Sequence, residues 1–167
     1  HNDARRQRQM CIRDSVIGVD VASSKVDMVN AGDTPIIEER SGDILKDNVL
    51  NGRLQATLNV KEALKSTEIV IVCVGTPSRK DGSLNQEYIR EVVAQIGEQL
   101  RDSDEDILLV MRSTMVPGTI RNLVLPTLEQ HSEKKLGDGY EVVFHPEFLR
   151  ESTSVYDFYN PPKIVVG

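Results

Sequence analysis

The sequence predicts a layered α/β fold built on a mainly parallel sheet. Short apolar runs recur along the chain from Val16 onward, and between them lie longer stretches whose apolar residues repeat at helical spacing. Most runs are apolar at successive positions, which is typical of strands that are covered by helices on both faces. We therefore expect a doubly wound arrangement in which strands and helices alternate.

Five segments are predicted to be strands because each is short and rich in Val, Ile or Leu. They are residues 16–21, 68–74, 107–111, 140–144 and 164–167.

Three helices are predicted between these strands. The first is short and follows Ser23 and Ser24, whose hydroxyls can cap its first amides. The last opens at Pro117, since proline suits the first helical turn. The middle helix follows a turn at residues 81–82, and its apolar face consists of Ile89, Val92, Val93, Ile96 and Leu100.

The composition fits one globular domain that does not bind nucleic acid. The chain has 167 residues, 39% of them hydrophobic, a net charge of −6 and a pI near 5.1, so no basic face is available to neutralise phosphates. An unbroken apolar run of about eighteen residues, which a membrane span needs, is missing, and so is a signal peptide. We expect a cytoplasmic protein. Cys11 and Cys73 show neither disulfide nor zinc spacing, and Cys73 is predicted to be buried and inert.

Residues 1–15 differ from the rest of the chain because they are polar, basic and without helical or strand periodicity. A nucleic-acid arm is one interpretation, but we favour a leader that lies outside the domain. The domain itself is predicted to occupy residues 16–167.

Residues that follow the predicted strands are candidates for ligand binding, because parallel sheets bind ligands at the carboxyl ends of their strands. Asp20 could accept hydrogen bonds from an adenosine ribose and repel a 2′-phosphate, and Lys25 could approach the same end of a dinucleotide. Gly75 permits close backbone approach, and the Thr76 and Thr114 hydroxyls could bond a ribose or phosphate. Generic turn chemistry explains these last features equally well.

The segment after the fourth run contains two further acidic candidates. If it is helical beyond Pro146, Glu147 and Glu151 share one face and could form a site, and a solvated acidic face is the alternative.

Five motifs follow one another at these strand ends: GVDVASSK, GTPSRKDGSL, RSTMVPGT, HPEFLREST and DFYNPPKIVVG. In this order they resemble the successive motifs of the UDP-glucose and GDP-mannose dehydrogenase family, over residues 16–167. FLREST and FYNPP are more similar to its GDP-mannose branch. The resemblance implies a Rossmann-like domain that binds NAD.

The resemblance also implies an enzymatic reaction. The family oxidises the C6 hydroxyl of a nucleotide sugar to a carboxylate by two hydride transfers to NAD, through a thiohemiacetal and a thioester. In the GDP-mannose branch the product is GDP-mannuronate, a precursor for polysaccharide biosynthesis. A homodimer is implied for the full-length parent.

Site roles can be carried over from the family to the matching positions. Cofactor binding is implied for Asp20, Lys25, Gly75, Thr76 and Thr114. Thr114 and Glu147 are implied to be catalytic, with Glu147 orienting or deprotonating the water that hydrolyses the thioester. Sugar binding is implied for Phe148, Leu149, Arg150 and Glu151. No metal is implied.

The chain departs from the family pattern in ways that predict a truncated domain. His145 stands where asparagine is usual, and residues 1–15 occupy the place of the first strand and its Gly-x-Gly-x-x-Gly loop. The catalytic cysteine and its assisting lysine and asparagine lie beyond the equivalent of Gly167. We therefore expect an inactive, marginally stable chain with weak NAD binding and with the strand around Val19 exposed at an edge.

Two other functions were weighed against a GDP-mannose enzyme fragment. A fragment of a UDP-glucose 6-dehydrogenase and a non-catalytic nucleotide-binding module both stay open. A receiver-like signalling domain is disfavoured, because it would need clustered aspartates after one strand and a lysine at a later strand end.

Overall fold

The computed structural model describes residues 15–34, 38, 40–65, 67–150 and 152–167. Apart from Ser15, the predicted leader lies outside the described residues, as does Glu151. The chain divides into two compact units. The first contains the described residues up to Ala63 together with Leu149–Asn160, and the second contains Leu64–Phe148 and Pro161–Gly167.

Strands and helices alternate through most of the described chain. In order they are β1 (Val16–Val19), α1 (Ser23–Asn30), α2 (Ser41–Leu50), β2 (Leu54–Thr57), α3 (Val60–Leu64), β3 (Ile69–Val72), α4 (Glu87–Arg101), β4 (Ile107–Met111), a π-helix (Ile120–Val124), α5 (Leu125–Ser132), β5 (Tyr140–Phe144) and α6 (Ser154–Tyr159).

The first unit contains a parallel pair of strands. β1 lies beside β2, with Val16 opposite Leu54 and Val19 opposite Thr57. Asn30, the last residue of α1, donates from Nδ2 to the Ala56 carbonyl at 2.9 Å and accepts from the Ala56 amide at 2.8 Å. This amide side chain therefore satisfies both backbone groups of one β2 residue and attaches the end of α1 to the sheet.

The second unit contains a parallel three-stranded sheet in the order β3-β4-β5. Its core forms where α4, the π-helix and α5 pack on this sheet. Leu109, Met111, Ile89, Val93, Val124 and Leu128 are all fully buried there. Apolar residues at helical spacing on α4 supply much of this core, as the sequence predicted.

The fold class is confirmed, and four of the predicted strands are present with shorter or equal bounds. Residues 164–167 are not a strand, although Gly167 exchanges two backbone hydrogen bonds with Phe144.

The prediction that Ser23 and Ser24 cap α1 is wrong, because the N-cap is Ala22 and no side chain caps this helix. The π-helix begins at Ile120 rather than at Pro117, since Gly118 first turns the chain with φ +88°.

The described strands form two sheets, and both have an exposed strand at one edge. β1 pairs with β2 alone, and its side chains Val16 and Val19 are 60% and 44% exposed. In the second unit, Ile69 and Ile71 of β3 are each 56% exposed. The sequence predicted that the strand around Val19 is exposed at an edge, and Val19 is exposed in this way.

Candidate functional site

Three neighbouring strands of the second unit end level with one another. Val72 at the end of β3 is opposite Met111 of β4, and Met111 is opposite Phe144 of β5. Because the strands are parallel, Thr76, Thr114 and Glu147 all follow the same edge of this sheet. These are three of the candidate residues that follow predicted strands. Asp20, which is also such a candidate, follows β1 in the other unit.

Hydrogen bonds hold the segments that leave β3 and β4 together. The buried Ser113 donates from Oγ to the Val74 carbonyl at 2.8 Å, and the amides of Arg112 and Ser113 both donate to the Val72 carbonyl, at 2.9 and 3.2 Å. Gln86, just before α4, donates to the Thr119 hydroxyl at 2.6 Å and so secures the far end of the loop. The loop that carries Thr114 is therefore attached at both ends.

The segment after β5 is attached to β4 in two ways. The His145 amide donates to the Met111 carbonyl at 3.0 Å, and Nη1 of Arg112 lies 2.8 Å from Nδ1 of His145. Residues 145–150 are not helical, so the condition for Glu147 and Glu151 to share a helical face is not met in the described part of this segment. Glu147 itself is exposed.

Gly75 and Thr76 lie in the turn after β3. A Cβ built on Gly75 would have no heavy atom within 4 Å, so this stretch of backbone is open. Thr76 is half-buried and Thr114 is exposed. An open glycine backbone beside a half-buried hydroxyl is suited to contact a flat or extended ligand.

Cys73 is exposed, and the prediction that it is buried is wrong. Partial desolvation nevertheless raises the pKa of the thiol. The charge of Arg112 lowers this pKa by a smaller amount, and the charge of Glu147 raises it. The thiol therefore stays protonated at neutral pH and is a poor nucleophile, in agreement with the predicted lack of reactivity.

In the first unit, Asp20 follows β1 directly. Its Oδ1 accepts the Ala22 amide at 2.9 Å, and its Oδ2 lies 3.4 Å from Nζ of Lys25. The Ala22 hydrogen bond is the main cause that lowers the pKa of Asp20, and Lys25 contributes to it. Asp20 is therefore ionised at neutral pH, and its carboxylate contacts Lys25.

The predicted sugar-binding segment is divided between the two units. Phe148 belongs to the second unit, where Nζ of Lys163 lies 4.5 Å from the centre of its ring, at a distance for a cation–π contact. Leu149 and Arg150 belong to the first unit.

Arg150 donates three hydrogen bonds to a buried carboxylate. The backbone amide and Nε of Arg150 each donate to Oδ2 of Asp157 at 3.0 Å, and its Nη2 donates to Oδ1 at 2.7 Å. The Thr153 hydroxyl donates a fourth hydrogen bond at 3.0 Å. Two nitrogens of this guanidinium are therefore engaged within the chain, although the Arg150 side chain is 72% exposed. The Arg150 carbonyl accepts the Thr153 amide at 3.3 Å and keeps one lone pair for a sugar.

Arg112 and Ser113 at this edge were not predicted from sequence, because they act through contacts with segments 33 and 39 positions away in the chain. Asp157 of the first unit was not predicted either, although its partners Arg150 and Thr153 are close in sequence. Within the ranges that the structure describes, no group of three or more His, Cys, Asp or Glu could hold a metal. None of the helices described above is both long and apolar enough to cross a membrane.

Parallel sheets with open glycine and hydroxyl groups at the carboxyl edge define the class of α/β nucleotide-binding domains. The model of the UDP-glucose/GDP-mannose dehydrogenase family, NAD binding domain, matches residues 9–167. The chain belongs to this family.

Individual relatives agree with the family assignment. GDP-mannose 6-dehydrogenase of Azotobacter vinelandii is 48% identical over 152 residues, which are 91% of this chain and 35% of that protein. A crystal structure of GDP-mannose dehydrogenase from Pseudomonas aeruginosa, in a ternary complex, superposes with a TM-score of 0.91 at 42% identity and covers 94% of this chain and 37% of that one.

A UDP-glucose dehydrogenase from Pyrobaculum islandicum superposes with a TM-score of 0.84 at 32% identity, over 91% of this chain and 34% of that one. The chain thus spans about a third of the length of the relatives it matches. The observed residues fit the cofactor in the family's name: Asp20 is an ionised acceptor at a strand end, and Gly75 has no neighbour that would block a ligand.

Proposed function

We propose that this chain forms part of the cofactor domain of an NAD-dependent nucleotide-sugar 6-dehydrogenase that oxidises GDP-mannose to GDP-mannuronate. The single observation that carries the proposal is the level ending of β3, β4 and β5, which presents Thr76, Thr114 and Glu147 along one edge. Such an edge is where parallel α/β sheets bind their ligands.

Asp20 would hold the adenosine end of the cofactor. As an ionised acceptor it suits two ribose hydroxyls and repels a 2′-phosphate, which favours NAD over NADP. Lys25, which contacts the Asp20 carboxylate at 3.4 Å, would approach the same adenosine end of the cofactor. Bound NAD supplies the hydride acceptor.

In the second unit, the residues have separable roles. The open backbone of Gly75 and the hydroxyls of Thr76 and Thr114 would bind the part of the cofactor nearer its reactive ring. Glu147 would orient a water and accept its proton during hydrolysis of the thioester, with Thr114 in the same hydrogen-bond network. An exposed carboxylate can take this role once bound substrate removes it from bulk solvent.

The remaining sugar contacts would come from the backbone of Phe148 and from Leu149, with the Arg150 carbonyl as an acceptor. The Arg150 guanidinium would act indirectly, because its bonds to Asp157 fix the backbone of this segment. Glu151, which lies outside the described residues, is proposed as a further sugar-binding residue.

GDP-mannose is favoured over UDP-glucose as the substrate of the whole protein. Over 152 residues in each case, identity is 48% to a GDP-mannose 6-dehydrogenase and 36% to a UDP-glucose 6-dehydrogenase of Haloferax volcanii. We further propose that the whole protein is a cytoplasmic homodimer that supplies polysaccharide biosynthesis. Within this chain, residues 1–15 would lie outside the cofactor domain, which would occupy residues 16–167.

The test is to titrate the purified, ¹⁵N-labelled chain with NAD and with NADP, up to millimolar concentration. We expect NAD to shift the backbone amides of Asp20, Thr76 and Thr114, and NADP to bind more weakly. D20A should remove the preference for NAD, whereas D27A, at an exposed position of α1, should retain it. If NAD shifts no amide at these strand ends, the proposed cofactor site is wrong.

Activity needs the whole protein from which this chain derives. With GDP-mannose it should form two NADH for each sugar, because a primary alcohol is oxidised to a carboxylate. Faster turnover of UDP-glucose would contradict the proposed substrate. A whole protein that binds NAD without oxidising either sugar would favour the non-catalytic module instead.

A further inference from the structure

One side-chain hydrogen bond joins the ends of β4 and β5. Arg112 follows β4 directly, His145 follows β5 directly, and the atoms Nη1 and Nδ1 are 2.8 Å apart. Both residues are half-buried, so solvent competes only partly for the two groups. None of the roles proposed above uses this pair.

The chemistry of the two groups determines the direction of the bond. A guanidinium has donors only and stays protonated at any pH at which proteins fold. Nδ1 of His145 must therefore accept, and a neutral imidazole that accepts at Nδ1 carries its proton on Nε2. Protonation would replace this acceptor with a donor and bring a second positive charge against Arg112.

Three other features of this edge surround the Arg112–His145 hydrogen bond. Cys73 comes from the end of β3, and the charges of Arg112 and Glu147 both act on its thiol. Glu147 lies two residues beyond His145 on the same segment. The His145 amide is bonded to the Met111 carbonyl at 3.0 Å, so backbone and side chain attach the segment at one point.

We propose that His145 is a positioning residue for Glu147: by accepting a hydrogen bond from Arg112, it fastens the segment that carries Glu147 to the end of β4. The attachment holds while the imidazole is neutral and is released when the imidazole is protonated. The inference rests on the proposed function only in giving Glu147 a catalytic role, since the hydrogen bond itself requires no ligand.

The tautomer of His145 provides a direct test. Long-range ¹H–¹⁵N spectra of the chain at neutral pH should show that Nδ1 of His145 is an acceptor without a proton and that the proton is on Nε2. A proton on Nδ1 of His145 at neutral pH overturns the proposal.

Variants test whether the bond fastens the segment. Exchange of the residue-145 amide with solvent should accelerate roughly two- to tenfold in H145A and in R112A, the loss expected for one hydrogen bond. The double variant should be no faster than either single variant, because both remove the same bond. Effects that add in full would overturn the proposal.

The conservative variant separates positioning from general stability. In H145N the amide oxygen can still accept from Arg112 but cannot be protonated. The residue-145 amide of H145N should therefore exchange as slowly as in the unmodified chain. Its exchange rate, corrected for the intrinsic pH dependence of amide exchange, should not rise when the pH is lowered from 8 to 5. In the matched control H131N, exchange of the residue-145 amide should still accelerate when the pH is lowered from 8 to 5. A response that persists in H145N overturns the proposal. Failure of NAD to bind would overturn the proposed function and leave these results unaffected.

Discussion

Helices α4 and α5 approach each other closely at Gly97, and this contact offers a sharp test of the core. Gly97 is buried on α4 where that helix packs against α5. A Cβ at this position would lie 2.8 Å from Cβ of His131, 3.3 Å from the Ser132 amide nitrogen and 3.4 Å from the Leu128 carbonyl oxygen. All three atoms belong to α5, and none is the flexible end of a side chain.

Two effects of G97A oppose each other. Alanine is favoured over glycine inside a helix by about 0.8–1 kcal/mol. Overpacking of a filled core costs about 1–3 kcal/mol, and contacts to backbone atoms place this site in the upper part of that range, because α5 must move as a whole. We expect G97A to lower the free energy of unfolding by about 1–2 kcal/mol, out of a total of roughly 5–15 kcal/mol for a typical domain.

Urea unfolding followed by circular dichroism measures this change, with the slope of the transition checked for constancy. Q95A is the matched control, because Gln95 is exposed on the same helix and its replacement should stay within about 0.5 kcal/mol of the unmodified chain. If G97A is as stable as the unmodified chain, or more so, the spacing of α4 and α5 inferred here is wrong.

Three further predictions concern single side chains. G75A should leave the free energy of unfolding within about 0.5 kcal/mol but weaken NAD binding in titrations, because its Cβ meets only the space a ligand would use. Y140F should unfold at equal or higher urea concentration, since the buried Tyr140 hydroxyl has no hydrogen-bond partner among the described residues. Hydrogen bonds from Arg150 lower the pKa of Asp157 in the folded state, so its stabilising effect is complete above about pH 4 and is lost as the pH falls below that. Between pH 5 and 3, D157N should lose less stability than the unmodified chain in thermal unfolding, and an equal loss would contradict the role of this carboxylate.

The predicted parts of the fold are those with a strong local pattern. β4 and β5 were predicted with the bounds observed, because runs such as Ile107–Met111 are apolar at every position. β2 was missed because Leu54–Thr57 has one strongly apolar residue and is completed by pairing with β1 and by the side chain of Asn30. Helix α6 was missed because its aromatic residues show no helical face.

The candidate site was predictable in position but not in its internal contacts. Residues that follow apolar runs are easily found, and this located Thr76, Thr114 and Glu147. The bonds of Arg112 with His145 and of Arg150 with Asp157 depend on how separate segments approach each other. Sequence patterning contains no such information for a pair of polar side chains.

The parallel connections have a consequence for how the chain acquires its structure. Val16 pairs with Leu54, Ile69 with Leu108 and Ile107 with Tyr140, so every ladder joins residues that are dozens of positions apart. Such distant contacts make folding slow, because the entropy cost of closing a long loop is incurred before strand pairing contributes favourable free energy. During synthesis, the β1–β2 pair can form once Thr57 has emerged from the ribosome. The three-stranded sheet must wait for Phe144, so the nascent chain carries the apolar strands β3 and β4 before their sheet can be completed.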